Sequence, residues 1–537
     1  MRNKYSVNAK VVTAILAASM LMLSACNEGE TNINVHYEDQ SEEKTDAPKE
    51  AVLKEDASKE EVEVEISSEL PVEDDFELDS ENFELIENTA DGEHAVEADG
   101  KEESYSRVKV VKSGESEGDE ADFYGENSAI FATNKATLDL NEIVVETAGT
   151  HANAVFSYGE GTTVNITDSI IETSGNCSGG LMTTGGGTMN ATHLKIHTTG
   201  NSSAAIRSDR GGGIVNVTKG SYTTEGTGSP VIYSTADITV SDAILTSTAS
   251  QGVVVEGQNS VTLNNVLLTA DNNKKNSDKS EYYQAVMIYQ SMSGDADEGL
   301  AEFTMNGGKL INKNGDVFFV NNTVTDISLT GAVIDNQGDG VFLRAAAAGW
   351  GNEGSNGGNV NLTAAKQEIN GDMVVDDISV LNLYLTEGSS LNGAVNSENS
   401  SGKVYVELKG GSVWTLSGDS YIESLTCDAD SVKLNGYKLY VAGEEYVEGS
   451  GSEGEAIAIE TGRNGGKGGP MGEGGPGNGE GGPMGEGGPM GEGGPGNGEG
   501  GPGGDMTPPD GEGMTPPDGG MTPPDGGMTP PDMQNKE

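Results

Sequence analysis

The sequence predicts an all-β chain: a single parallel β-helix solenoid between disordered N-terminal and C-terminal segments. Three observations carry this. The first is a repeat: TVNITDSIIETSGN (163–176), TMNATHLKIHTTGN (188–201), IVNVTKGSYTTEGTG (214–228), DITVSDAILTSTAS (237–250) and SVTLNNVLLTADNN (260–273) say nearly the same thing. Triplets such as Val164-Asn165-Ile166 and Val215-Asn216-Val217 recur, with successive starts at 189, 215, 238 and 261, so the steps are 26, 23 and 23 residues. A period of this length means a stacked unit that buries its apolar face only against its neighbours. The second observation is the alternation inside each triplet, which has the period of a strand, with glycines and small polar residues marking the turns. Short strands without a helical segment suit coils stacked about 4.8 Å apart. The third is composition. The 537 residues carry 87 acidic against 30 basic side chains, net −57, with 79 glycines. Their uneven distribution points to one folded body flanked by segments that bury too little apolar surface to fold.

The N-terminus reads as an address. Arg2, Lys4 and Lys10 precede an apolar run, Val11 to Leu23, too short for a permanent membrane span. Leu23-Ser24-Ala25-Cys26 follows and resembles the lipobox of bacterial lipoproteins, in which residues 1–25 would be a signal peptide and Cys26 the lipidated first residue of the mature chain. Acyl chains there would hold the protein on the outer face of a membrane at about 0.8 kcal/mol per buried methylene. Residues 26–121 are dominated by Glu, Asp, Lys and Ser and read as a disordered, self-repelling acidic tether. Within it, Val62-Glu63-Val64-Glu65-Ile66 alternates and could pair as a strand.

The solenoid is expected over 122–448. Phe123, Ala129, Ile130 and Phe131 are suited to cap its first coil. After the clear copies the triplets continue at Phe303-Thr304-Met305, Ile327-Ser328-Leu329, Val360-Asn361-Leu362, Leu381-Asn382-Leu383 and Val404-Tyr405-Val406, interrupted by loops at 271–284, 291–301 and 344–359. Trp414, Leu416, Tyr421 and Leu425 suit a C-terminal plug. Residues 449–537 collapse to GGPMGEGG-like and MTPPDGG repeats, which read as a disordered tail.

A polyanion of this size binds no nucleic acid without cations; its expected partners are cations, neutral glycans or basic surfaces. Beyond Cys26, Cys177 and Cys427 fall in an early and the last coil, roughly 45 Å apart at the coil spacing, too far for a disulfide and expected as buried free thiols.

The 122–448 segment resembles the right-handed parallel β-helix proteins of the pectin-lyase-like superfamily, and more narrowly the adhesin-like surface lipoproteins of bacteria. The residues that carry this are HANAVFSYGEG, NSSAAIRSDRGGG, GSPVIYSTADITV, YQSMSGDAD, GSNGGN and VWTLSGDSYIESL. The resemblance implies a monomeric rod displayed outside the cytoplasm. It leaves activity open, because the fold hosts lyases, hydrolases, epimerases and non-catalytic adhesins alike.

Candidate function sits on the second strand of each coil: AVFSYG (154–159), GLMTTG (180–185), AIRSDR (205–210), PVIYST (230–235), VVVEGQ (253–258), AVMIYQ (285–290), VFFVNN (317–322) and VFLRAA (341–346). With Val155, Leu181, Ile206, Ile232, Val254 and Ile288 inward, the outward stripe is Phe156, Tyr158, Met182, Arg207, Asp209, Tyr233, Tyr289 and Arg344. Rings stack on sugar faces, and Arg and Asp bond hydroxyls or uronic carboxylates, so the stripe reads as a glycan groove, for an envelope or host polysaccharide. A polysaccharide lyase or hydrolase would centre on Arg207 and Asp209. Asp376-Asp377 is no hydrolytic pair, since neighbours in a strand point to opposite faces. His193 and His197 do not make a metal set, and none is expected among the histidines. The loop Ser293-Gly294-Asp295-Ala296-Asp297-Glu298 offers Asp295, Asp297 and Glu298 as calcium ligands, although it lacks the twelve-residue pattern with a closing Glu. A third reading is a structural spacer of the cell envelope.

Overall fold

A computed structural model describes residues 69–72 and 76–460 apart from residue 278, together with two short strands, Tyr5–Ser6 and Glu63–Val64, paired antiparallel. Cys26 and the repeats beyond 460 lie outside the described residues. The body is a parallel β-solenoid. Each coil has three strand faces, here called A, B and C. Face A carries the triplets (Thr137–Asn141, the first half of Thr163–Thr173, Asp237–Ser241, Ser260–Asn264) and face B the strands that follow (Val144–Thr147, Ile244–Ser247, Leu267–Ala270). Face C is an eleven-stranded parallel sheet whose members include Val155–Tyr158, Leu181–Thr184, Ile206–Ser208, Ile232–Ser234 and Val253–Glu256.

The coil register follows the repeat. Val164 pairs with Met189, Met189 with Val215, Val215 with Ile238 and Ile238 with Val261, all of them core residues. The corner between faces A and B is one left-handed residue per coil: Glu142, Asp168, His193, Lys219, Asp242 and Asn265, with φ between 47° and 63°. That conformation turns the strand sharply and favours Asn and Asp. The turn from face B to face C uses a glycine column. A Cβ on Gly175 would sit 1.9 Å from the Gly149 carbonyl oxygen, and one on Gly200 1.8 Å from that of Gly175. Only glycine lets successive backbones stack there. Buried Ser203 beside it donates to the Gly175 carbonyl and accepts from the Ser178 amide.

Both boundaries of the folded body differ from the expectation. Strands at Glu84–Asn88, Val96–Asp99, Glu102–Ser106 and Val108–Lys112 pair into the solenoid well before residue 122. Val96, Ala98, Val108 and Val110 are core residues, with charged neighbours outside. Average composition hides this because it sums the two faces of a strand that alternation separates. Ile130 and Phe131 are therefore not an end cap: Ile130 is core, and Phe131 lies on the outer side of face C. At the other end, Cys427 bridges Ser452, and the Asn382 side-chain amide both donates to and accepts from the Ile457 backbone. Ordered packing thus runs past 448. Trp414 is fully buried there, its indole N–H donating to the Gly393 carbonyl at 2.9 Å. No helix among the described residues is long and apolar enough to cross a membrane.

Candidate functional site

Face C brings the expected outward residues into one register. Phe131, Phe156, Met182, Arg207, Tyr233, Val254, Met287, Phe319 and Arg344 follow one another from coil to coil. Two corrections follow. Val254 points outward, since Val253 and Val255 hold the core positions. Tyr158 and Tyr289 each lie two residues further along their strands, paired with Thr184 and Glu256.

The larger correction is that the column is covered. Phe156 and Met182 are fully buried, in a cluster with Phe131 and Tyr158. Their cover is segment 114–125, which contains the short helix Asp119–Phe123. Tyr124 meets Tyr158 edge-on at 5.8 Å, the Thr184 hydroxyl donates to the Phe123 carbonyl, and Gly125 lies so close to Phe131 and Phe156 that a Cβ would collide with both. Further along, Val254, Met287, Tyr289, Phe319 and Ala346 form a second buried patch under Tyr282 and Trp350, which the loops at 271–284 and 344–359 deliver. Arg344 belongs to this cover: it grips the buried Asp316 through two nitrogens, at 2.6 and 3.2 Å, and lies over the Tyr282 ring. Phe156 and Tyr289 are thus not open ligand contacts, and Arg344, partly exposed, is committed to Asp316.

Between the two patches lies a charged seam. Arg207 Nη2 donates to Asp209 Oδ2 at 2.8 Å and to Asp122 Oδ1 at 3.3 Å, while its Nη1 is buried with no protein partner. Its neighbour in register, Tyr233, donates to Glu256 Oε2, which also accepts from Tyr289 at 2.9 Å. Arg210 closes one side, stacked over Phe123 at 3.6 Å and donating to Asp295 at 2.8 Å. Burial pushes the Asp209 carboxyl up, more than the Arg207 charge pulls it down. Burial alone would lower the Arg207 pKa, but Asp209 and Asp122 raise it above its ordinary value. Burial, then Tyr289 and Glu256, raise the Tyr233 pKa, and burial, then Glu256, raise that of Tyr289 against the Tyr233 hydrogen bond, so both phenols stay protonated donors. Arg207, Tyr233 and Arg210 remain partly exposed; Asp209 and Glu256 lie beneath, at 3% and 1% exposure.

The expected calcium loop does not gather its ligands. Asp295 gives its oxygens to Arg210 and to the Ser293 hydroxyl, and Asp295, Asp297 and Glu298 do not converge on one point. Among the described residues, the group that does converge is Asp122, His151 and Cys177. Sequence reasoning missed it, although His151 and Cys177 are 26 residues apart, one coil period, in the matching stretches THANAV and NCSGGL. Cys177 is half-buried rather than buried; Cys427 is buried, and both are free. Glu256 was missed because it ends an otherwise apolar strand.

No protein-family model, curated protein or solved structure matches this chain.

Proposed function

We propose that the chain is a lipid-anchored surface protein, held through Cys26 outside the cytoplasm, whose β-solenoid binds glycan at the Arg207–Tyr233 seam without acting on it. The reading of the anchor rests on the lipobox-like Leu23-Ser24-Ala25-Cys26. The observation that carries the binding reading is the seam itself: a partly exposed ring and guanidinium in adjacent coils, with carboxylates alongside and one guanidinium nitrogen lacking a protein partner. Rings and paired donors and acceptors are what sugar hydroxyls and C–H faces recognise. The seam holds four carboxylates, Asp122, Asp209 and Asp295 on the guanidiniums of Arg207 and Arg210 and Glu256 on the two phenols, in a chain of net charge −57. Neutral or amino-substituted sugars fit this field, and polyuronates are repelled. A lyase needs a neutral base, and Arg207 is held charged by Asp209 and Asp122, which favours binding over elimination.

An array of neutral, amino and acidic glycans probed with the full chain tests this. Binding to neutral or amino glycans is expected, with a loss of at least about tenfold in Arg207→Lys and in Tyr233→Phe, each of which removes one or more hydrogen bonds of about 1–2 kcal/mol. No binding to any class, or equal binding by both variants, overturns the reading and leaves a spacer of the envelope. Release of unsaturated or reducing ends from a bound polysaccharide would instead establish an enzyme at Asp209.

A further inference from the structure

We propose that Asp122, His151 and Cys177 form a binding site for a divalent metal ion of the zinc class, which staples the covering segment 114–125 to two successive coils. The inference is independent of the glycan reading. One ligand atom from each residue lies within 4.8 Å of the other two. His151 Nε2 and Asp122 Oδ1 are 3.6 Å apart. Ligands about 2.0 to 2.3 Å from a tetrahedral ion lie roughly 3.3 to 3.7 Å from one another, so small side-chain rotations close the site.

The orientation of His151 is the second and separate observation. Its Nδ1 lies 2.8 Å from the Ser116 carbonyl oxygen. A carbonyl only accepts, so Nδ1 donates to it, and Nε2 is the nitrogen turned toward Asp122 and Cys177. An imidazole fixed through its far nitrogen by a backbone carbonyl is the arrangement of a metal-ligating histidine. Ser116 and Asp122 both belong to the covering segment, so the segment that supplies the carboxylate also aims the imidazole.

The fold explains how the other two donors meet. His151 and Cys177 occupy the same place in the turn between faces B and C of neighbouring coils, with φ of 55° and 54°. The His151 amide donates to the Asn176 carbonyl, next to Cys177, at 3.0 Å. The next coils put Ser202 and Gly228 there, at φ of 54° and 67°, so the position demands a left-handed backbone and makes no demand for a thiol or an imidazole.

The donor set selects the ion. One thiolate, one imidazole and one carboxylate suit zinc or its spectroscopic stand-in cobalt, whereas calcium and magnesium take oxygen ligands alone. With the thiol and carboxyl ionised and the imidazole neutral, the two negative charges balance a divalent cation. Asp122 can keep Arg207, because a carboxylate offers about four lone-pair sites. The His151 and Asp122 side chains are 12% and 31% exposed, which leaves a path for entry and a place for a fourth ligand.

The test uses the full chain, reduced with a thiol-free reagent and titrated with Co²⁺, then with Zn²⁺ as competitor. A thiolate-to-cobalt charge-transfer band is expected, saturating at one equivalent and displaced by Zn²⁺ but not by Ca²⁺. Cys177→Ser should abolish the band and weaken Zn²⁺ binding by more than the about 10- to 100-fold that loss of an outer-shell partner costs. It should still fold, because Ser202 holds the equivalent place one coil on. Asp122→Asn should keep the band at reduced affinity, and Cys427→Ser should change nothing. The absence of a thiolate band in the unmodified chain, or its survival in Cys177→Ser, overturns the site. Metal taken up without such a band is held by carboxylates elsewhere in the chain and overturns it equally.

Discussion

Faces A and C offer the same sequence signal and meet opposite fates. Both present an outward column of side chains at the coil period. On face A the column is Asp139, Asn165, Asn190 and Asn216, in which each amide donates to the residue one coil before, at 2.8 to 3.0 Å, in contact with solvent. On face C the column is Phe131, Phe156, Met182, Arg207 and Tyr233, and most of it lies under segment 114–125 and the later loops. Alternation decides which side of a strand a residue occupies. What lies on top of that side is decided by segments elsewhere in the chain. An amide ladder satisfies itself and asks for no cover, whereas a stripe of Phe, Met and Tyr gains about 25 cal/mol for each Å² of apolar surface covered.

Substitutions can break this contrast, the sharpest first. Phe156→Ala is expected to cost about 3–5 kcal/mol, read from the urea midpoint, because it empties a packed position. A cost of a few tenths, as for an exposed groove residue, would show that face C is open. Next comes Arg344→Met, which strands the buried Asp316 and should cost about 3 kcal/mol near neutral pH. Burial already raises the Asp316 carboxyl, with Arg344 opposing it. A carboxyl whose folded pKa lies above its unfolded one takes up a proton on folding. The cost should therefore shrink as the pH falls through that raised pKa, and a pH-independent cost contradicts the assignment.

Asn190→Ala removes one donated and one accepted bond at the solvent surface and should cost only about 1 kcal/mol. If it matches Phe156→Ala, the contrast between the faces fails. The smallest effect belongs to His94, stacked on Phe131 at 4.4 Å with Nδ1 on the Ser128 carbonyl. Burial lowers its pKa below 6.5, against the Ser128 bond and the charges of Glu97 and Glu126 and together with that of Lys112. The unfolded chain binds the proton first, so stability is full above about pH 6.5 and falls as the pH drops toward the folded value. The difference between the original chain and His94→Gln, followed from pH 7.5 to about pH 5, should show this slope, and parallel curves would exclude it.

Much of the solenoid was legible because its rules are local and repeated. Val164, Val215, Ile238 and Val261 announce the core by alternation, and Gly175 and Gly200 recur because neighbouring backbones touch there. The first strands were hidden behind charge: VKVVK and VEAD have the period of a strand but the composition of a tether. The interruptions at 271–284, 291–301 and 344–359 were visible as loops, yet nothing in their residues says that they fold over face C.

The sequence by itself determined the coil, the alternation that fills its core and the column on which large outward side chains stand. These follow from strand period, turn stereochemistry and a repeat that returns every 23 to 26 residues. Only the tertiary structure decided that this column is covered, that Arg207 lies between Asp209 and Asp122, and that His151 and Cys177 meet Asp122. Asp122 reaches both places from outside the repeat, through packing that joins residues 85 positions apart in the chain and that no periodicity records.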